Sequence, residues 1–299
     1  MSIRESIMTE GPLPTRVRPG PGRASALRLL RRRTAVLGLV VLLGLLGASS
    51  LAPILLPRDP NEADFSQVLQ PPSLTHLLGT DHLGRDILTR IAYGGRVSFL
   101  IGVLAVALAV AGGVPIGLIS GYFGGAVDLV VQRFVDLLLA FPGFLLALTM
   151  VAVLGVGVTN VVVSVAVASL PGYVRLVRGV ALSVREQAFV EAARALGASD
   201  ARILIRHVLP NSLAPVIVQS TLELGTAILV AAGLGFLGLG VRPPTPEWGT
   251  MLGEGQTYLL SFWFIATFPG LAIFLAVMSF NLLGDGLRDA LDPRTGFYA

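Results

Sequence analysis

Six apolar runs alternate with polar stretches along the chain. Each has the roughly 20 residues that a helix rising 1.5 Å per residue needs to cross about 30 Å of hydrocarbon. They predict membrane-spanning helices near 34–56, 97–120, 134–154, 159–179, 213–240 and 261–284. Arg175 and Arg178 stand in the last turns of the fourth, where their long stems should let the guanidinium groups snorkel to the interface. Between the fourth and fifth runs lies EQAFVEAARALGASDARILIRHVLPN, Glu186 to Asn211, which is patterned like soluble protein. On a helix, Phe189, Ala193 and Leu196 fall on one face, and Gln187, Glu191 and Arg194 take the same spacing on another. Gly197 supplies a stop that tolerates positive φ, Ser199 or Asp200 can cap a second short helix, and Pro210 is expected to end it. The insert reads as helix, tight turn, helix, presented to water.

Composition places this pattern in a class. With 54% hydrophobic residues, 13% charged residues and 35 glycines in 299 positions, the chain is an all-α integral membrane protein rather than an ordinary soluble domain. It has no cysteine, which excludes disulfides, thiolate catalysis and cysteine metal sites. All 22 basic residues are arginine, so a phosphate-binding loop would lack its lysine and a Schiff base cannot form. ATP, if used, must be hydrolysed by another chain.

Arginine placement orients the bundle. With the N-terminus inside, seventeen arginines fall on the cytoplasmic side and five, Arg58, Arg85, Arg90, Arg96 and Arg242, fall outside. The positive-inside rule then places both termini and the insert in the cytoplasm. Arg31 to Arg33 before an apolar run could open a signal peptide, but some 23 apolar residues exceed the usual h-region of about 7–15, so the first span is expected to be retained. The expected organisation is a cytoplasmic tail at 1–33, disordered and basic over Arg4 to Arg28, an extracytoplasmic loop at 57–94, a membrane domain at 95–285 containing a loop at 180–212, and a cytoplasmic tail at 286–299.

Polar residues in and beside the spans carry the remaining signals. Glu223 lies well inside the fifth span, where a charged carboxylate costs about 2.5–3.5 kcal/mol. It faces a translocation path or is hydrogen-bonded to a neighbouring helix. Asp128, Arg133 and Asp136 share spacings that predict ion pairing within one helix. His76 and His82 accompany Asp81 and Asp86 in the outer loop, without the cysteine or helical histidine pair that would make a convincing metal site. Gly79, Thr80, Gly84, Arg85 and Asp86 read instead as a turn into the second span. Trp248 is expected to anchor at the interface. Pro142 with Gly143, Pro171, and Pro269 with Gly270 predict kinks at helix contacts, and Gly235, Gly238 and Gly240 predict close packing. No catalytic constellation, metal-ligand set or cofactor motif is present in the sequence.

The insert, written as EAA, three residues, Gly, nine residues and HVLP, resembles the EAA loop of membrane subunits of binding-protein-dependent ABC importers. Glu191, Ala192, Ala193, Gly197, Leu209 and Pro210 match its pattern. His207 stands where the general pattern has isoleucine, a departure common in the dipeptide, oligopeptide and nickel branch. HLLGTDHLGRDILTRIAYGGRVS from His76, GFLGLGVRPPTPEWGTML from Gly235 and FPGLAIFLAVMSFNLLGDGLRDALDPR from Phe268 are similar to the C-type permease of that branch. The resemblance covers about 34–294 and implies the six-helix permease fold of a type I importer. It also implies a second permease chain that forms a heterodimer with this one, two cytoplasmic ATPase subunits docking on the EAA loop, and an extracytoplasmic solute-binding protein. The implied cargo is a di- or oligopeptide. A nickel chelate or other small solute is the alternative within the family, and a stand-alone secondary transporter the alternative outside it, although only Glu223 could serve an ion relay.

Overall fold

The computed structural model describes residues 29–30 and 32–291, so the tail Arg4 to Arg28 and the last eight residues lie outside it. Helix α1 (Arg33–Ser50) is followed by the single turn α2 (Ala52–Leu55), and α3 (Ile87–Phe123) begins after the long loop at 56–86. Next come α4 (Gly125–Leu139), α5 (Gly143–Leu154), α6 (Val158–Arg185), α7 (Ala188–Ala195) and α8 (Asp200–Ile203). A π-helical turn, Leu204–Val208, joins α8 to α9 (Leu209–Phe236), and α10 (Trp248–Gly255) and α11 (Phe264–Leu291) complete the bundle. Among the described residues, five helices are long and apolar enough to cross a membrane, and the bent pair α4 and α5 can form a sixth span.

Four of the six expected spans are whole helices with shifted ends, and the first is a helix plus a short extra turn. The third is different. Its expected range, 134–154, contains a break that turns α5 by 86° relative to α4. Pro142 causes it: without an N–H, and with its ring forcing the preceding residue towards extended backbone, it cannot continue α4. It starts α5 instead, at φ −53° and ψ 131°.

The centre of the bundle is the parallel contact of α3 with α6. Gly113, Gly117 and Gly121 recur every four residues and make one smooth ridge on α3. A Cβ added at Gly117 would stand 2.7 Å from the Val174 carbonyl oxygen, and one at Gly121 2.6 Å from that of Arg178. Lipid offers no hydrophobic drive for association between helices, so such close backbone approach supplies van der Waals contact in its place. Pro171 and Pro269 lie buried inside continuous helices. Gly235 and Gly240 sit at close contacts, whereas Gly238 has open space around it and owes its identity to φ +77°.

Trp248 corrects the expectation of an interfacial anchor. It is 1% exposed, with its indole N–H donated to the Ile91 carbonyl at 2.9 Å and its ring edge-on to Phe99. The cap of α10 pulls it inward: the buried Glu247 carboxylate accepts from the Gly249 and Thr250 amides and from Ser98 on α3. At 1.5 Å per residue α3 is about 55 Å long, so the 56–86 loop at its start and the α7–α8 hairpin near its finish mark opposite ends of the molecule.

Candidate functional site

The hairpin is built as its sequence suggests, up to one point. Helix α7 closes with a pair of bonds, Ala198 N–H to the Ala193 carbonyl and Gly197 N–H to the Arg194 carbonyl, both 3.0 Å. These are the two bonds of a Schellman closure, which needs a left-handed residue at the turn, and Gly197 supplies it at φ +81°. Ser199 then caps α8, its hydroxyl accepting from Arg202 N–H. Val190, Ile203 and Val208 are wholly buried and fix the hairpin to the bundle. Phe189 and Leu196 stay exposed, Leu196 at 89%, and Glu191, Ala192, Arg194 and Ala195 lie in solvent beside them, with Ala193 half-buried. His207 packs against Phe189, ring centroids 5.8 Å apart.

Pro210 does not end the second helix. The run from Asp200 to Phe236 is one helix, because the backbone widens to a π turn at Leu204–Val208 just before the proline. Pro210 then occupies the start of α9, where its missing N–H costs no further bond. The hairpin is thereby continuous with a membrane helix.

Tyr122, which the sequence reading overlooked, stands where α3 meets the hairpin. Its ring is buried, and its hydroxyl donates to Asp200 Oδ1 at 2.6 Å and accepts from Arg194 Nη2 at 3.3 Å. Both arms of the hairpin therefore meet at one oxygen. Arg185 adds bonds to the Gly121 and Tyr122 carbonyls. No local spacing could have revealed this, since Tyr122 is 72 and 78 residues from its two partners.

The expected ion pairing within one helix is also corrected. Asp128 receives a bidentate bond from Arg178, both contacts 2.6 Å, and Asp136 pairs with Arg175 at 2.7 Å. Both arginines belong to α6 and reach across to α4. The 86° bend makes this possible by laying the acidic side of α4 against α6.

Glu223 lies between helices. Ser169 on α6 donates to its Oε1 at 2.6 Å, and Gln219 approaches its other oxygen at 3.5 Å. Tyr173 reaches Ser220 one turn away. Glu223 is thus hydrogen-bonded to a neighbouring helix, one of the two arrangements its place in the sequence allows.

At the opposite end, the 76–86 stretch forms the expected turn, closed by a Thr80–Asp86 bridge. Asp86 caps α3 through Thr89 N–H and pairs with His76 Nδ1 at 2.8 Å. Asp81, His82 and Glu254 bring oxygen and nitrogen atoms within 4.8 Å of one another. Arg85 already bridges Asp81 at 2.6 Å and Glu254 at 3.1 Å, with Arg90 3.5 Å from both. Two guanidinium groups on two carboxylates neutralise the charge a cation would need. The cluster is a clasp that holds the 56–86 loop to α3 and α10.

A polytopic helical bundle with a water-facing hairpin fixed to its central helices has the fold of a type I ABC importer permease. The inward-facing methionine transporter MetNI shares it at a TM-score of 0.56 and 19% identity, over 68% of this chain and 97% of that one. Residues 113–297 match the family described as binding-protein-dependent transport system inner membrane component, and residues 20–72 match the N-terminal TM domain of oligopeptide transport permease C. The chain belongs to this family of inner membrane transport components. It is 46% identical to the dipeptide transport system permease protein DppC of Alkalihalophilus pseudofirmus, over 92% of this chain and 90% of that protein. It is equally identical to the glutathione transport system permease protein GsiD of Pectobacterium atrosepticum, over 92% and 91%. The di/tripeptide permease DppC of Pseudomonas aeruginosa is 43% identical over 94% and 95%.

Proposed function

We propose that this chain is one pore-forming half of an ATP-driven importer of short peptides, coupled to separate ATPase subunits through the hairpin of Glu191, Ala192, Ala193, Gly197, His207, Leu209 and Pro210. The hairpin carries the proposal: a short helix with exposed apolar side chains, held rigidly at the end of three membrane helices, suits a groove in a soluble partner. ATP-driven closure of an ATPase pair displaces such a helix, and its stiff junction with α9 converts the displacement into reorientation of the bundle. The other partners are a second, different permease chain and an extracytoplasmic solute-binding protein meeting the end that bears the 56–86 loop. Both termini and the hairpin lie in the cytoplasm of a prokaryotic cell, in keeping with the arginine distribution. Short peptides are the cargo class because the relatives above are named for dipeptides, di/tripeptides and glutathione.

The test rests on Gly197. A Cβ there meets nothing within 4 Å, so only the φ of +81° resists substitution. In the reconstituted complex, Gly197→Val is expected to keep the ATPase bound but lower the peptide moved per ATP hydrolysed, and Gly197→Asn, which tolerates the left-handed region, to retain most of it. Normal transport by Gly197→Val would overturn the coupling role.

A further inference from the structure

We propose that Tyr122 is a positioning residue for coupling, its hydroxyl acting as a strut between the hairpin and α3. This rests on the reading of the hairpin as the coupling element. The hairpin already continues into α9 through the π turn, and α6 leads into it across Glu186 and Gln187. With those links alone, a push on α7 would move the ends of α6 and α9 and leave α3 to follow through side-chain packing. The Tyr122 hydroxyl closes the gap. It bonds to Arg194 in the last turn of α7 and to Asp200 in the first turn of α8, across the Gly197 turn from each other. The ring beneath is set in the central core with Val184, Val190 and Ile203.

The donor and acceptor pattern fits a strut rather than a chance contact. A phenol has one hydrogen to donate and lone pairs to accept with, and here the hydrogen goes to a carboxylate while an arginine donates in return. Both bonds are charge-assisted and stronger than neutral ones. The Arg185 bonds to the Gly121 and Tyr122 carbonyls hold the backbone of the same turn, and burial of the ring in the core holds the phenol in place. Helix α3 then moves with the hairpin together with α6 and α9, its glycine ridge keeping it seated on α6.

The full complex, reconstituted with its ATPases and binding protein, gives the test. Tyr122→Phe removes one oxygen and no volume. It should leave ATPase co-purification and ATP hydrolysis intact while peptide moved per ATP falls about tenfold or more, the factor that loss of a hydrogen bond to a charged group brings. Asp200→Ala should produce the same defect, and Tyr122→Phe with Asp200→Ala together no more than the larger single effect. Asp200→Asn, which keeps an oxygen acceptor, should preserve most coupling. A purely structural tyrosine would lower thermal stability and leave the ratio alone. An unchanged ratio in both Tyr122→Phe and Asp200→Ala overturns the strut while Gly197→Val still uncouples. If Gly197→Val transports normally, the hairpin reading fails first.

Discussion

The residues that matter most here are those whose partners are far away in sequence, and Glu223 shows why. A carboxylate inside an apolar run is visible from sequence, as is its expense; what resolves that expense is not. Ser169 lies on another helix 54 residues away, and only the packing of α6 against α9 brings its hydroxyl to 2.6 Å. Because glutamine keeps an oxygen acceptor at that position, Glu223→Gln is expected to assemble normally and retain transport. Glu223→Leu leaves Ser169 without its acceptor and should lower stability by about 0.5–1.5 kcal/mol, read as an earlier midpoint on thermal unfolding in detergent. Loss of transport by Glu223→Gln with assembly intact would move Glu223 into the translocation path. Trp248 teaches the same lesson in reverse: the usual place of tryptophan in membrane proteins predicted an anchor, and the Glu247 cap beside it took the ring inside.

Among the elements, most of what depended on short-range chemistry was legible, Pro210 excepted, and most of what depended on two helices meeting was not, the close contacts at Gly235 and Gly240 excepted. The Gly197 turn, the Ser199 cap and the Asp86 turn into α3 each follow from a few adjacent residues, and each stands where its residue types require. The bend at Pro142 was half legible: the proline marked a kink, but apolar content alone drew α4 and α5 as one straight span. What holds α4 across the break is the bidentate Arg178–Asp128 contact, supported by Ser120 and Gln132. Arg178→Met would strand a partly buried carboxylate. Its expected cost is about 1–3 kcal/mol, below that of a deeply buried pair because Ser120 still satisfies one oxygen. The loss belongs to α4 more than to the bundle. Amide exchange should therefore accelerate over 125–139 and change little over 143–154, and equal acceleration of both segments would show that the clasp does not localise there.

For the whole molecule, sidedness joins every part of the functional reading. Helix α3 separates the ion-pair clasp at Asp81 and Glu254 from the hairpin at Gly197 by about 55 Å, more than a bilayer core, so the two ends meet different compartments. The hairpin can meet an ATPase only if its end faces the cytoplasm, and the loop can meet a binding protein only if it does not. Absence of native cysteine makes the question clean, since any introduced thiol is the sole target for a membrane-impermeant maleimide. Leu74 in the loop is 98% exposed and Leu196 on the hairpin 89%, so neither substitution disturbs packing. Leu74→Cys should be labelled in intact cells stripped of their outer barrier, and Leu196→Cys only in inverted vesicles. Because the exposed hairpin face is the proposed docking surface, Leu196→Cys should also become protected when the ATPase subunits are bound. Labelling of Leu196→Cys from outside would put the hairpin where no ATPase can reach it, and the distribution of arginines would then be a poor guide to this bundle.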